Sequence, residues 1–211
     1  MLRGNFMTLA YERLDQFLQQ LKTDVYSEVP YPLHVEISDR ALDYLETLFQ
    51  LKPGMRLLDV GCGQGVVVDR MLAKGLDYQG ITLSDQDIKV CRAKGYRVDK
   101  MDQSFITYPD HSFDIVWARH VLEHSIFPLF TVDGYRRILK PDGIMYIEVP
   151  APETRSSHEN NPNHYSMFSK KVWQGLIERS GFAIVADAIY VLGNEQDSDQ
   201  YWGFYCRLSA L

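Results

Sequence analysis

Cysteine is scarce in this chain. Cys62, Cys91 and Cys206 are the three in 211 residues, too few and too scattered for a disulfide framework or a zinc site. A reducing compartment is the simplest setting, so a cytoplasmic location is expected. Long apolar runs are missing too. Nothing approaches the roughly 20 residues that a membrane-spanning helix requires, and no long apolar segment behind residues 1–5 reads as a signal peptide. No membrane partner is expected. Basic charge is in deficit, with 22 Lys and Arg against 28 Asp and Glu and a formal net charge of −6. A nucleic-acid partner needs a basic face, and no Lys/Arg cluster supplies one. There is no internal repeat and no low-complexity linker. No repeated His/Asp/Glu spacing builds a metal site, so no metal is expected.

What is present is a globular composition, 45% apolar, with enough length for one domain and a full core. The chain is organised around Leu57-Leu58-Asp59-Val60-Gly61-Cys62-Gly63-Gln64-Gly65-Val66. A short apolar run ends in an acid, and Gly-x-Gly-x-Gly follows. Val67, Val68, Met71 and Leu72 then repeat at helical spacing until Gly75. This reads as a buried parallel strand, a tight turn and a helix. Glycines let a backbone approach a ligand closely, and helix amides favour a negative group such as a carboxylate. A phosphate loop would need a lysine after its second glycine, and none is there. The dinucleotide fingerprint would put its third small residue on Val66. Asp59 would repel a pyrophosphate but suits a cation. A ligand with an ammonium, a carboxylate and an adenosine, but no phosphate, meets every condition, and S-adenosylmethionine (SAM) is such a molecule.

On these residues the chain resembles the class I SAM-dependent methyltransferases, whose signature Asp-x-Gly-x-Gly-x-Gly is met by Asp59, Gly61, Gly63 and Gly65. The resemblance implies an α/β fold, a Rossmann-like seven-stranded, mostly parallel sheet with helices on both faces and a C-terminal antiparallel hairpin. With the length, it gives a single domain over 1–211, with 1–52 as an N-terminal helical cap and 53–211 as the SAM-binding core. It implies SAM as cofactor and a small-molecule acceptor, with O-, N- or C-methylation and monomer or homodimer left open. Two alternatives stand beside it: alkyl transfer of the cyclopropane-synthase type, and a catalytically silent binding subunit.

In chain order, Leu14, Phe17, Leu18 and Leu21 form an amphipathic stripe, broken over 26–32. Ser38 is expected to cap a second helix with Leu42, Leu45, Leu48 and Phe49 inward. Tyr11, Tyr26 and Tyr31 stand out as exposed aromatics, Tyr31 as a substrate contact. A strand over 78–83 precedes Ser84, which reads as an N-cap with Asp87 in a capping-box-like place. Most family members end this strand in an acid that holds the ribose. Here Thr82 stands there, so Thr82, Leu83 and Gln86 are the expected ribose contacts. Gly80 to Ser84 resembles the cyclopropane fatty acid synthase branch, although the chain lacks the length for a large lipid-covering insertion. The third strand, 97–101, leads to Asp102, Gln103 and Ser104, where the family places an acid on the adenine amino group. The fourth strand, 113–117, opens into Arg119, His120, Leu122, Glu123 and His124, a Leu-Glu-His pattern the family shares, with Arg119 and His120 expected at the cofactor. A helix over 126–139, the turn at 140–143, a fifth strand over 144–149, a helix from Ser169 to Gly181 and strands over 182–191 and 201–209 complete the pattern. The polar loop over 150–166 is long enough to be functional.

Methyl transfer is an in-line displacement that chiefly needs held geometry. A base helps only where the nucleophile carries a proton, and imidazole suits that task. His124 and His164 are the expected catalytic residues, with Asn163 and Tyr165 binding the acceptor. His34 and His111 have no evident tie to the site. Cys62, inside the glycine turn, reads as a small packing residue beside the cofactor with Gln64.

Overall fold

In the computed structural model of the protein, the described residues are 3–21, 25, 27, 29–194 and 198–209. Tyr26 and Glu28, in the expected helix break, lie outside them. Two helices, α1 (Arg3–Leu21) and α2 (Pro32–Leu48), precede the sheet. Then follow β1 (Arg56–Val60), α3 (Val68–Ala73), β2 (Asp77–Thr82), α4 (Asp85–Ala93), β3 (Val98–Lys100) and β4 (Phe113–Arg119). The chain ends with α5 (Pro128–Ile138), β5 (Leu139–Pro150), α6 (Lys170–Arg179), β6 (Phe182–Gly193) and β7 (Ser198–Leu208).

The strands form one sheet of order β3-β2-β1-β4-β5-β7-β6. Neighbours from β3 to β5 pair in parallel, and β7 lies antiparallel between β5 and β6. This is the seven-stranded, mostly parallel sheet with a C-terminal hairpin that the family resemblance implies. Strand alternation sorts its side chains into two cores. Leu57, Trp117, Tyr146 and Tyr205 face Ala41, Leu42 and Leu45 of α2. Leu58, Val116, Ala118 and Ile147 face Val132 of α5 and Trp173 and Ile177 of α6. Burial on both faces explains why β1 and β4 read as continuous apolar runs.

Several boundaries differ from the sequence pattern. The second helix starts at Pro32, with Tyr31 at its N-cap, and not at Ser38. Proline's fixed φ suits the first helical position, while the Ser38 hydroxyl donates to the His34 carbonyl, 2.7 Å away inside the helix. Strand β5 begins at Leu139, through the expected 140–143 turn, with an irregularity in its pairing to β4 between Phe113 and Ile115. Ser84 does cap α4, accepting from the Asp87 amide at 3.2 Å. No helix among the described residues is long and apolar enough to cross a membrane.

Candidate cofactor and acceptor site

A cavity of about 320 Å³ opens at the carboxyl ends of β1, β2 and β4, where open α/β sheets take ligands. Leu18 and Leu21 of α1, and Tyr31 and His34 at the start of α2, form one wall. Asp59, Gly61, Cys62, Gly63, Gln64, Thr82, Leu83, Asp102, Gln103, Ser104, Arg119 and His120 line the side expected to hold a cofactor. His124, Asn163 and Tyr165 line the rest. Among the described residues Gly65, Gln86 and His164 do not line it.

The three signature glycines differ in why they are glycine. A Cβ on Gly61 would come within 2.6 Å of Val121, and one on Gly65 within 2.8 Å of Tyr96. Both keep the turn packed against its neighbours. A Cβ on Gly63, at φ +49°, would meet nothing within 4 Å among the described residues. Its small size leaves room on the cavity side. The amides of Gly61 and Cys62 donate to the Ile81 carbonyl at 2.9 and 3.1 Å, fastening the turn to β2. The Cys62 thiol is held protonated by its contact with Cys91 and by burial.

Asp59 is buried and accepts from the Tyr78 hydroxyl at 3.0 Å. Burial pushes its carboxyl up to about 7, against the Tyr78 bond and Arg119, which pull it down. A cation in the cavity would offset that desolvation. On α4, Asp87 lines the cavity and is buried, while Gln86 faces a separate pocket beside Lys100. The reason is helical spacing. Asp87, Ile88 and Cys91 form the inward stripe of α4, and Gln86 lies about 100° away from it. Asp87 accepts a hydrogen bond from the Ser27 hydroxyl. Sequence reading took Asp87 for a cap and missed it as a site residue. The signal was its place in the first turn of α4, three residues past the capping Ser84. Thr82 already accepts from the Ser84 amide at 3.2 Å.

Beyond β3, Asp102 accepts from the Ser104 amide at 2.9 Å. Gln103 donates to the Val121 carbonyl at 2.6 Å and accepts from Tyr135 at 2.9 Å. Ser104 bonds to Thr131 at 2.7 Å. The side chains of Gln103 and Ser104 therefore brace the loop after β4 against α5, which leaves Asp102 as the charged group of this segment.

At the end of β4, Arg119 and His120 share one carboxylate. Glu148 of β5 is fully buried, and its Oε1 lies 2.8 Å from Arg119 Nε and 2.8 Å from His120 Nε2. The arginine contact is an ion pair not aligned as a hydrogen bond, and Arg119 Nη2 is buried without a hydrogen-bond partner among the described residues. Tyr146 donates to the other oxygen of Glu148. Although burial opposes it, Arg119 and His120 hold Glu148 down at about 2. Burial and Arg119 together push His120 down to about 3.

His34, which the sequence left unassigned, lines the cavity with its ring 5.4 Å from that of His120. His120 also stacks on Tyr201 at 4.5 Å, a residue no local pattern marked. His111 is far off in role, bonding the Leu139 carbonyl at 2.9 Å. His124 Nδ1 lies 2.8 Å from the Asn163 carbonyl, and His164 packs edge-on against His124 at 4.8 Å. Burial lowers His124, and burial with His124 takes His164 to about 4. The cluster around the cavity is thus neutral at pH 7. Folding also brings ligand atoms of Glu123, His124 and His164 within 4.8 Å of one another, a proximity that sequence spacing did not reveal.

These groups fit a zwitterionic ligand. An ammonium beside Asp59 and a carboxylate beside Arg119 Nη2 would each relieve a buried polar group, and Gly63 leaves open space between. Comparisons with known proteins bear on the family. A 27-O-demethylrifamycin SV methyltransferase of Amycolatopsis mediterranei is 32% identical over 130 residues, 56% of this chain and 48% of that protein. A ubiquinone biosynthesis O-methyltransferase of Xylella fastidiosa is 29% identical over 159 residues, 67% of this chain and 63% of that protein. The chain thus spans about half to two thirds of the length of these curated relatives. A Haemonchus contortus phosphoethanolamine N-methyltransferase 2, solved with S-adenosylhomocysteine, shares the fold at TM-score 0.67 and 16% identity, covering 82% of this chain and 53% of that one. Residues 33–187 match the family model described as a methyltransferase domain, and the chain belongs to that family, the class I methyltransferases that use S-adenosylmethionine as cofactor.

Proposed function

We propose that this protein transfers a methyl group from SAM to a hydroxyl of a small, uncharged acceptor, with His124 taking the acceptor's proton. The observation that carries the reading is the pair of His124 and Asn163. The Asn163 carbonyl can only accept, so His124 Nδ1 carries the proton and Nε2 is the accepting nitrogen. His124 lines the cavity and is neutral, as a base must be before it acts. The two curated relatives, both methyltransferases acting at oxygen, favour a hydroxyl. Neutral histidines and aromatic rings around the acceptor end supply no positive charge to pair with a phosphate or carboxylate, which favours an uncharged acceptor.

In this reading Asp59 holds the cofactor's ammonium, Arg119 its carboxylate, Asp87 with Thr82 the ribose, and Asp102 the adenine amino group. Gly61, Cys62, Gly63, Gln64 and Leu83 supply the walls, and Gln103 and Ser104 brace them. Tyr31, Asn163 and Tyr165 flank the acceptor, and His164 packs behind His124. When bound, SAM supplies an electrophilic sulfonium methyl. The protein's part is to hold the acceptor in line with it, an effect of order 7–11 kcal/mol when geometry is good. The test has two steps. Calorimetry with S-adenosylhomocysteine on the purified chain examines the cofactor. Mass spectrometry for a 14 Da gain then screens phenols and alcohols against amines and carboxylates. Turnover confined to amines, or to acids, removes the hydroxyl reading.

A further inference from the structure

The joint between β4 and its loop contains a geometry that regular strand structure forbids. Successive residues of a strand point to opposite faces of the sheet. Trp117 belongs to the core on the α2 side and Ala118 to the core on the α5 side. Arg119, in register with Glu148 across the β4–β5 ladder, shares the α2 side with it. His120 should then turn away from Glu148. It instead reaches the same Oε1 at 2.8 Å. The backbone makes this possible. His120 sits at φ +50°, in the left-handed region that side-chain-bearing residues rarely adopt. Its amide still continues the ladder, donating to the Glu148 carbonyl at 2.9 Å. Strain of this kind is retained where the surroundings enforce it, commonly at functional sites. The surroundings here are specific: Tyr201 stacks on one face of the imidazole, His34 meets it edge-on, and the ring lines the cavity.

We propose that Glu148 is a positioning residue that fixes His120 in a single tautomer, proton on Nε2 and lone pair on Nδ1, so that Nδ1 accepts a hydrogen bond from the acceptor molecule. An ionised carboxylate can only accept, so it selects the ring nitrogen that carries the proton. Burial and Arg119 hold His120 down at about 3, which makes it too weak a base to take the acceptor's proton, so it binds through its lone pair. One oxygen of Glu148 serves Arg119 as well, so a single buried carboxylate orients a cofactor contact and an acceptor contact. Gly203, opposite Glu148 on β7, keeps the space clear: a Cβ there would come within 2.9 Å of the Tyr146 hydroxyl that bonds the carboxylate.

The use of Nδ1 by the acceptor rests on the methyltransferase reading, but the tautomer does not, and it is measurable without any ligand. Nitrogen-15 correlation spectra of the imidazoles in the 211-residue chain at pH 7.5, with His120→Gln to identify the signal, should give a pure Nε2–H form. An Nδ1–H form, or a fast-exchanging mixture, in the parent protein would overturn the proposal outright. In Glu148→Gln one accepting oxygen replaces two, and Tyr146, Arg119 and His120 compete for it, so both tautomers should be populated. An unchanged tautomer in that variant would sink Glu148 as its cause. Should Glu148→Gln fail to fold, the parent spectrum still decides. Calorimetry of the parent with S-adenosylhomocysteine separates the two readings: no binding there defeats the cofactor assignment and leaves the tautomer result standing.

Discussion

The two halves of the cavity are built in opposite ways. The cofactor half comes from short, local segments: a glycine turn, the first turn of α4 and the few residues after β3. Its polar groups are charged, and Asp59 is strained by burial toward neutrality. The half proposed for the acceptor is assembled from residues far apart in the chain, His34, His124, Asn163 and His120 (expected from sequence at the cofactor), with Tyr201 stacked on His120, and its imidazoles are neutral. The contrast teaches that a fixed, charged ligand is met by local motifs on a rigid turn. In the proposed reading, the acceptor would be met by a patchwork of hydrogen-bonding rings drawn from distant parts of the chain.

The comparison can be broken by substitutions, and the largest effect falls in the cofactor half. Gly63→Val puts a branched side chain into the open space and should abolish S-adenosylhomocysteine binding in calorimetry. The positive φ should cost about 1–3 kcal/mol of stability, read from a lowered but still cooperative melt. Binding at parental affinity would mean that the turn is not the cofactor site.

His124→Ala, in the acceptor half, should lower turnover by about 10²–10⁴-fold while cofactor affinity stays within about twofold, the signature of a group that acts on chemistry alone. A loss under tenfold would leave catalysis to proximity.

Asp102→Ala should weaken S-adenosylhomocysteine by about 1.5–3 kcal/mol, the usual cost of a hydrogen bond to a charged group. A nucleoside contact at Asp102 is excluded if the variant binds like the parent.

Proton linkage should mark the cofactor half more gently. Asp59 has a folded pKa of about 7, raised by burial. Its contribution to apo stability is full below about 3.9 and declines as pH rises toward 7. An ammonium favours the ionised carboxylate, so ligand binding near pH 6.5 should release protons and tighten as pH rises. Calorimetry in two buffers of different ionisation heat measures this. The acceptor half runs the other way. His120, held down at about 3, and His164, at about 4, contribute stability above about 6.5 that is lost as pH falls toward those values. Denaturant midpoints between pH 4 and 7 should reflect both trends, and the ligand should flatten only the first.

The smallest effect is expected of Gln86→Ala, which should leave cofactor affinity unchanged because Gln86 faces outside the cavity. A clear loss would return the ribose contact to that residue and cast doubt on Asp87.

Much of this molecule follows from sequence order alone. Buried parallel strands demand continuous apolar runs, and helices demand their own period, so the strands of β1, β2 and β4 and the helices between them are visible in the pattern. The Asp59–Gly65 turn is legible because its tight backbone, packed against Val121 and Tyr96, leaves few residue choices at Gly61 and Gly65. What sequence could not decide is whatever depends on direction. Gln86 and Asp87 are neighbours in the chain, and only the rotation of α4 puts Asp87 in the cavity. His34 and Tyr201 are separated by most of the chain, and only the packing of α2 and β7 beside β5 sets both against His120. Glu148 looked like one more residue of a buried strand. Its role emerges only when the left-handed backbone at His120 turns two consecutive side chains toward one carboxylate, a relation that three-dimensional packing creates and no spacing rule encodes.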